Sequence, residues 1–130
     1  MTYTIKQVAE RMGVTIPTLR YYDKEGLLPF VDKKENGTRV FKDEDFETLK
    51  IITCMKNSGM PIKDIKRYMD MCMEGDSSLE ERLQIFYDRK EVVKEQLEEL
   101  NKVMEVIKHK IWYYETAIEA STEAIHREKK

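Results

Sequence analysis

From Leu79 onward the chain places residues at strictly alternating intervals of four and three: Leu79, Leu83, Phe86, Lys90, Val93, Leu97, Leu100, Met104, Ile107, Ile111, Tyr114 and Ile118. All but Lys90 are apolar or aromatic. A 3.5-residue repeat of this kind is the seam of a helix that packs lengthwise on another helix. Over roughly 40 residues such a helix is about 60 Å long at 1.5 Å per residue. The roughly 75 residues before it cannot cover so long a stripe, so a partner helix is required, and the same helix of a second copy is the simplest one. The expectation is a dimerisation coiled coil over 79–118, preceded by a linker at 75–78 and followed by a flexible tail over 119–130. The alternative is a helix folded back on its own domain. Lys90 suits register selection, or packing against another part of the partner chain.

Composition agrees with helices. Charged residues make up 37% of the chain, with only three prolines and five glycines, which argues against a sandwich or barrel. No apolar run approaches the ~18 residues of a membrane span, and MTYTIKQVAERMG lacks the apolar stretch of a secretory signal. No membrane partner is expected, and the location expected is the cytoplasm. The net charge of −2 is unevenly placed: residues 1–42 carry eight cations against five anions, a balance of +3, which leaves −5 for the rest. A basic front half is compatible with nucleic acid without establishing it. Cys54 and Cys72 are too few and too far apart for a zinc framework, and a cytoplasmic setting argues against a structural disulfide. No cofactor or metal is expected.

The first 74 residues read as a winged helix-turn-helix. Thr4 and Gln7 form a capping box, followed by an apolar face of Ile5, Val8, Ala9 and Met12 and a stop at Gly13. Thr15 caps a second helix that tolerates Pro17 in its first turn and runs to about Lys24. The stretch LLPFVDKKENGTRVF then predicts a two-stranded hairpin, a wing at about 29–41. Its Asn36-Gly37 pair points to a type I′ turn, and Lys33, Lys34 and Arg39 decorate it. An acidic start, DEDFE, opens a third helix with a stripe of Phe46, Leu49, Ile52, Thr53 and Met55. Pro61 opens a fourth through about Cys72, with Ile62, Ile65, Met69 and Tyr68 inward. Ser78 and Glu81 form a second capping box at the head of the long helix.

At about 100° per residue, the second helix divides cleanly. With Leu19 facing the core, Ile16, Tyr22 and Asp23 lie on the inner side, and Pro17, Thr18, Arg20, Tyr21, Lys24 and Glu25 lie outside. The adjacent tyrosines therefore take different roles. A hydroxyl, a guanidinium and a phenol together on an outer face suit a DNA groove, since Arg bonds guanine or phosphate bidentately and the hydroxyls donate to phosphate.

The run YTIKQVAERMGVTIPTLRYYDKEGLLP, the wing ending NGTRVF and the later GMPIKDI together resemble the DNA-binding domain of the MerR family of transcription regulators. The likeness covers residues 1–72, LRYYDKEGLL is its most specific element, and the long helix matches the family's antiparallel dimerisation helix. The resemblance implies a homodimer on double-stranded promoter DNA. It also implies distortion of that DNA, so that RNA polymerase is controlled indirectly, with specificity drawn partly from deformability. Carried onto this chain, it implies DNA contacts from Thr15, Thr18, Arg20 and Tyr21, a phosphate contact from Tyr22, and backbone contacts from Arg39 and Lys56.

The inducer is a separate question. The chain offers no room for a separate drug-binding domain after the coiled coil, and no cysteine pair near the end of the long helix to hold a metal. Cys54 lies off the apolar stripe of its helix with Lys50 and Lys56 near in sequence, a setting that favours thiolate. Its position resembles the sensing cysteine of the MerR branch that responds to aldehydes and electrophiles, while most free cysteines are inert packing. The aromatic cluster Trp112, Tyr113 and Tyr114 leaves a second option, an effector pocket where the coiled coil meets the DNA-binding half. Two readings from other classes remain. One is a coiled-coil adaptor without DNA binding. The other is an enzyme using Cys54, which lacks a convincing base because both histidines lie in the distant helical half.

Overall fold

The computed structural model describes residues 1–127, with 128–130, part of the expected tail, outside the described residues. The elements run β1 (Thr2–Tyr3), α1 (Ile5–Met12), α2 (Ile16–Lys24), β2 (Asp32–Lys33), β3 (Arg39–Lys42), α3 (Asp45–Asn57), α4 (Ile62–Met73) and α5 (Leu79–Ala120), with single 3-10 turns at Asp76–Ser78 and Glu123–His126. The fold is mainly α, with a helix-turn-helix, a wing and one long C-terminal helix, as expected.

The first unit spans Met1–Lys90. Its opening helix is set by the predicted capping box: Gln7 N–H donates to Thr4 Oγ1 at 3.2 Å and Thr4 N–H to Gln7 Oε1 at 2.9 Å. Gly13 ends α1 in the left-handed region at φ 68°, a conformation that costs an L side chain. Val8 and Ala9 of α1, Leu19 and Tyr22 of α2, Leu27, Leu28, Val31 and Phe41, Leu49, Ile52 and Met55 of α3, and Ile65 and Met69 of α4 form one buried core. Asp45, in the acidic first turn of α3, is itself buried and accepts the Lys42 N–H at 2.9 Å. That bond fixes how α3 leaves the wing.

Four features differ from the sequence reading. The wing is three-stranded, ordered β1-β3-β2, because Thr2 and Tyr3 pair antiparallel with Lys42 and Phe41. Its turn is not type I′: only Gly37 (φ 84°) is left-handed, and Asn36 is not. Lys34 N–H bonds Thr38 O at 2.8 Å and Gly37 N–H bonds Lys34 O at 2.9 Å, the three-residue loop in which a type I turn precedes a left-handed glycine. Asn36 instead uses its side-chain carbonyl to accept the Thr38 N–H. Thirdly, the Ser78 hydroxyl does not cap α5: it donates back to Met71 O at 3.3 Å and accepts from Arg82. Fourthly, α5 does not start as a free rod at 79. Ile85 packs on the core and Phe86 meets Tyr68 edge-on at 5.2 Å, so its first turns belong with the N-terminal half.

The second unit begins at Glu91. Along it Leu97, Leu100, Met104, Ile107, Ile111, Tyr114 and Ile118 are all exposed in the single chain, and Leu79, Leu83 and Phe86 extend the same stripe toward the start of the helix. Where a flexible tail was expected from 119, the helix continues to Ala120 and the chain turns back at Ser121 (φ 58°). His126 then stacks on Tyr113 at 4.1 Å, with Nε2 near Thr116 Oγ1 (2.9 Å) and Tyr113 O (3.0 Å), and Tyr113 donates its hydroxyl to Glu123.

Candidate nucleic-acid interface

The second helix is short, nine residues, too short to persist by itself in water. It is capped at its N-terminus and held along one side. Thr15 caps it, its Oγ1 accepting the Thr18 N–H at 3.2 Å and meeting Thr18 Oγ1 at 2.8 Å. Leu19 and Tyr22 bury completely against the core, Tyr22 at 2% exposure. Tyr21, its neighbour, is 43% exposed. That is the division the helical phase predicts: one tyrosine anchors, the other faces out, and their ring centroids lie 6.4 Å apart.

The outer face then carries Thr15, Arg20, Tyr21 and Lys24 exposed, with Thr18 at its border. Among the described residues the Arg20 guanidinium has no protein partner, so all five of its donors remain for an external acceptor. Lys56 of α3 joins this group: it is exposed, and its ammonium stands 5.6 Å from the centre of the Tyr22 ring. The Tyr22 side chain itself is enclosed by the core, which distinguishes it from the other candidates.

Asp32 to Thr38 are all exposed, so the wing presents Lys33 and Lys34 to solvent. Lys42 is tied to Asp32 at 3.2 Å, and that hydrogen bond pushes its ammonium above the ordinary value. Across the sheet, Tyr3 donates its hydroxyl to Asp43 at 2.5 Å, which holds the Asp43 carboxyl below its ordinary range. Arg39 departs from the expectation of an outward-reaching cation. Its Nε and Nη2 donate to Asp23 Oδ1 at 3.0 and 2.6 Å, its Nη1 donates to Val31 O, and its side chain is only 16% exposed. The sequence did hold a signal for this. Asp23 lies on the inner side of α2, where a carboxylate needs a cation.

Cys54 is exposed on α3 and Cys72 half-buried on α4. No helix among the described residues is long and apolar enough to cross a membrane.

A profile of the MerR HTH family regulatory proteins matches residues 3–72. An uncharacterized HTH-type transcriptional regulator of Haemophilus influenzae is 44% identical over 90% of this chain and 87% of its own length. The HTH-type transcriptional regulator AdhR of Bacillus subtilis is 39% identical over 67% of this chain and 62% of its own. Among solved structures, HiNmlR, a MerR family regulator lacking the sensor domain and bound to promoter DNA, superposes with a TM-score of 0.86. It is 41% identical and covers 96% of this chain and 99% of that one. The profile match spans the whole helix-turn-helix and wing, and the likeness to HiNmlR extends through the long helix: this chain belongs to the MerR family and is a DNA-binding regulator of transcription.

Proposed function

We propose that the chain binds its promoter as a homodimer, places α2 in the major groove and the wing against the backbone, and distorts the duplex so that RNA polymerase is regulated without a chemical step. In this reading Arg20 bonds a guanine edge or a phosphate, Thr15, Thr18 and Tyr21 donate hydroxyls to phosphate, and Lys33, Lys34 and Lys56 supply charge. Tyr22 holds α2 in place from within. It acts in the cytoplasm. The observation that carries this reading is Arg20, exposed and without a partner among the described residues, on the face opposite the buried Leu19 and Tyr22. The homodimer rests on the exposed apolar stripe of α5.

The test is a binding titration of the full chain on its own upstream promoter fragment and on a scrambled fragment, at several salt concentrations. Arg20→Ala should weaken promoter binding by about 1–3 kcal/mol, the value of a good bidentate base contact. Wild-type affinity in that variant removes Arg20 from the interface, and equal affinity for both fragments removes sequence-specific binding.

A second reading is favoured by the accessible thiol of Cys54: it receives the inducing signal. Its thiolate adds to the carbonyl carbon of an aldehyde, the carbonyl electrons move to oxygen, and that oxygen takes a proton from solvent to give a hemithioacetal. The new bulk on α3 lies on the helix that also carries Lys56.

A further inference from the structure

The hydrogen bonds of Arg39 join three segments that are far apart in sequence. Arg39 opens β3, Asp23 lies in the last turn of α2, and Val31 immediately precedes β2. Among the described residues no other side-chain hydrogen bond or ion pair links the wing to α2. The Lys42–Asp32 pair ties β3 to β2, but it stays within the sheet. Strand β2 contributes only two residues, Asp32 and Lys33, paired with Val40 and Arg39. Strand β1 pairs with the other edge of β3, and Val31 and Phe41 are buried, so the base of the wing is anchored; the exposed hairpin beyond it rests on this brief ladder and on the bonds of Arg39 and Lys42.

From this geometry we infer that Arg39 and Asp23 form a positioning clamp that sets the wing at a fixed distance from the recognition helix, so that both meet the duplex at once. Arg39 is then a positioning residue rather than a DNA ligand, and Asp23 assists binding although it is an anion beside a polyanion. The clamp rests on the reading above, in which α2 and the wing both engage DNA. A planar guanidinium suits the task because its donors diverge in a fixed fork that reaches the carboxylate and the carbonyl together. A lysine ammonium, a point charge on a flexible stem, cannot define that geometry.

Asp23→Asn gives a test whose sign separates the two roles. Removing a carboxylate that merely stands near DNA lessens repulsion and tightens binding. Removing one arm of the clamp weakens it. We expect Asp23→Asn to lower promoter affinity about tenfold, the scale of one lost charge-assisted hydrogen bond. Hydroxyl-radical protection should fade at the backbone positions covered by the wing and persist where α2 lies. Arg39→Lys, which keeps the charge, should show the same loss. Unchanged or tighter binding by Asp23→Asn overturns the clamp, as does full affinity in Arg39→Lys. Should Asp23→Asn unfold, by loss of its thermal transition, Asp23→Glu keeps the charge and displaces the carboxylate by one methylene. Weaker binding with the same loss of wing protection then supports the clamp, and wild-type binding overturns it. Absence of specific binding by the wild-type chain instead overturns the DNA-binding geometry itself.

Discussion

Replacing Leu97 and Leu100 together with Asp probes the assembly most directly. In the single chain these side chains are 55% and 63% exposed, so most of their apolar surface is still open to burial by a partner. Full burial of a leucine is worth about 1.5–3 kcal/mol, which leaves about 1–2 kcal/mol per leucine for the dimer to gain. Four such residues per dimer amount to about 4–8 kcal/mol, before any cost of bringing carboxylates together in a desolvated seam. At 1.4 kcal/mol per decade, the dimer dissociation constant should rise by about three to six orders of magnitude. The helix itself should survive, because Asp costs less than ~1 kcal/mol per site in helix propensity. Sedimentation equilibrium over a wide concentration range reads the dissociation constant, and circular dichroism checks that helix content persists. Glu98→Ala, off the stripe and exposed, is the control and should leave the dimer unchanged. An unaltered dissociation constant in Leu97→Asp/Leu100→Asp would refute the seam, since it would mean that the stripe faces nothing.

Cys54→Ala should abolish aldehyde-dependent transcription in vitro while leaving promoter affinity within about twofold, because an exposed surface substitution shifts free energy by about 0.5 kcal/mol or less; full induction in that variant sinks the thiol reading. Tyr68 gives a prediction in pH. Burial, reinforced by a hydrogen bond with Cys72, pushes its phenol from 10.0 up to about 12. The unfolded chain therefore ionises first, and stability falls as pH rises from about 10 toward 12, fully present only below that window. Tyr68→Phe cannot ionise, so its stability should fall less steeply over that range in chemical denaturation; parallel curves for the two proteins would remove the phenol as a cause.

What was legible in the sequence is what depends on near neighbours. The Thr4–Gln7 box spans three residues and formed as read, with both reciprocal hydrogen bonds. The opposite fates of Tyr21 and Tyr22 follow from helical period alone. The features that were missed each depend on a distant partner or on fine torsional choice. Strand β1 exists because Thr2 finds Lys42 forty residues on, and a two-residue strand carries no period of its own. Asn-Gly allows a type I′ turn, but the amide of Asn36 bonds Thr38 N–H in a tighter local arrangement that leaves only glycine left-handed. Ser78 had two competing uses for one hydroxyl, and contact with Met71 at the end of α4 decided between them. The turn after Ala120 is set by a histidine that stacks on a tyrosine thirteen residues earlier, a pairing that no hydrophobic pattern announces.

The wing and the recognition helix make the same physical point from opposite sides. A helix of nine residues with one face left exposed has only its other face and its cap to hold it. Leu19 and Tyr22 supply the apolar anchor and Thr15 the cap, and neither depends on charge. They fix the helix to the core but say nothing about where the wing stands. Val31 and Phe41 root the base of the wing in the same core, and among the described residues the polar side-chain link between the wing and α2 is one pair, Asp23 and Arg39, each partly exposed at the edge of the core (33% and 16%). A pair so placed is screened less than one in bulk water, yet it is open enough to break without unfolding the core. The division has a consequence for mutational effects. Substitutions of Leu19 or Tyr22 should lower stability and DNA affinity together, because losing the helix loses both. Substitutions at Asp23 or Arg39 should lower affinity with a far smaller change in thermal midpoint. That separation between midpoint and affinity marks a clamp between two surfaces rather than a brace within one.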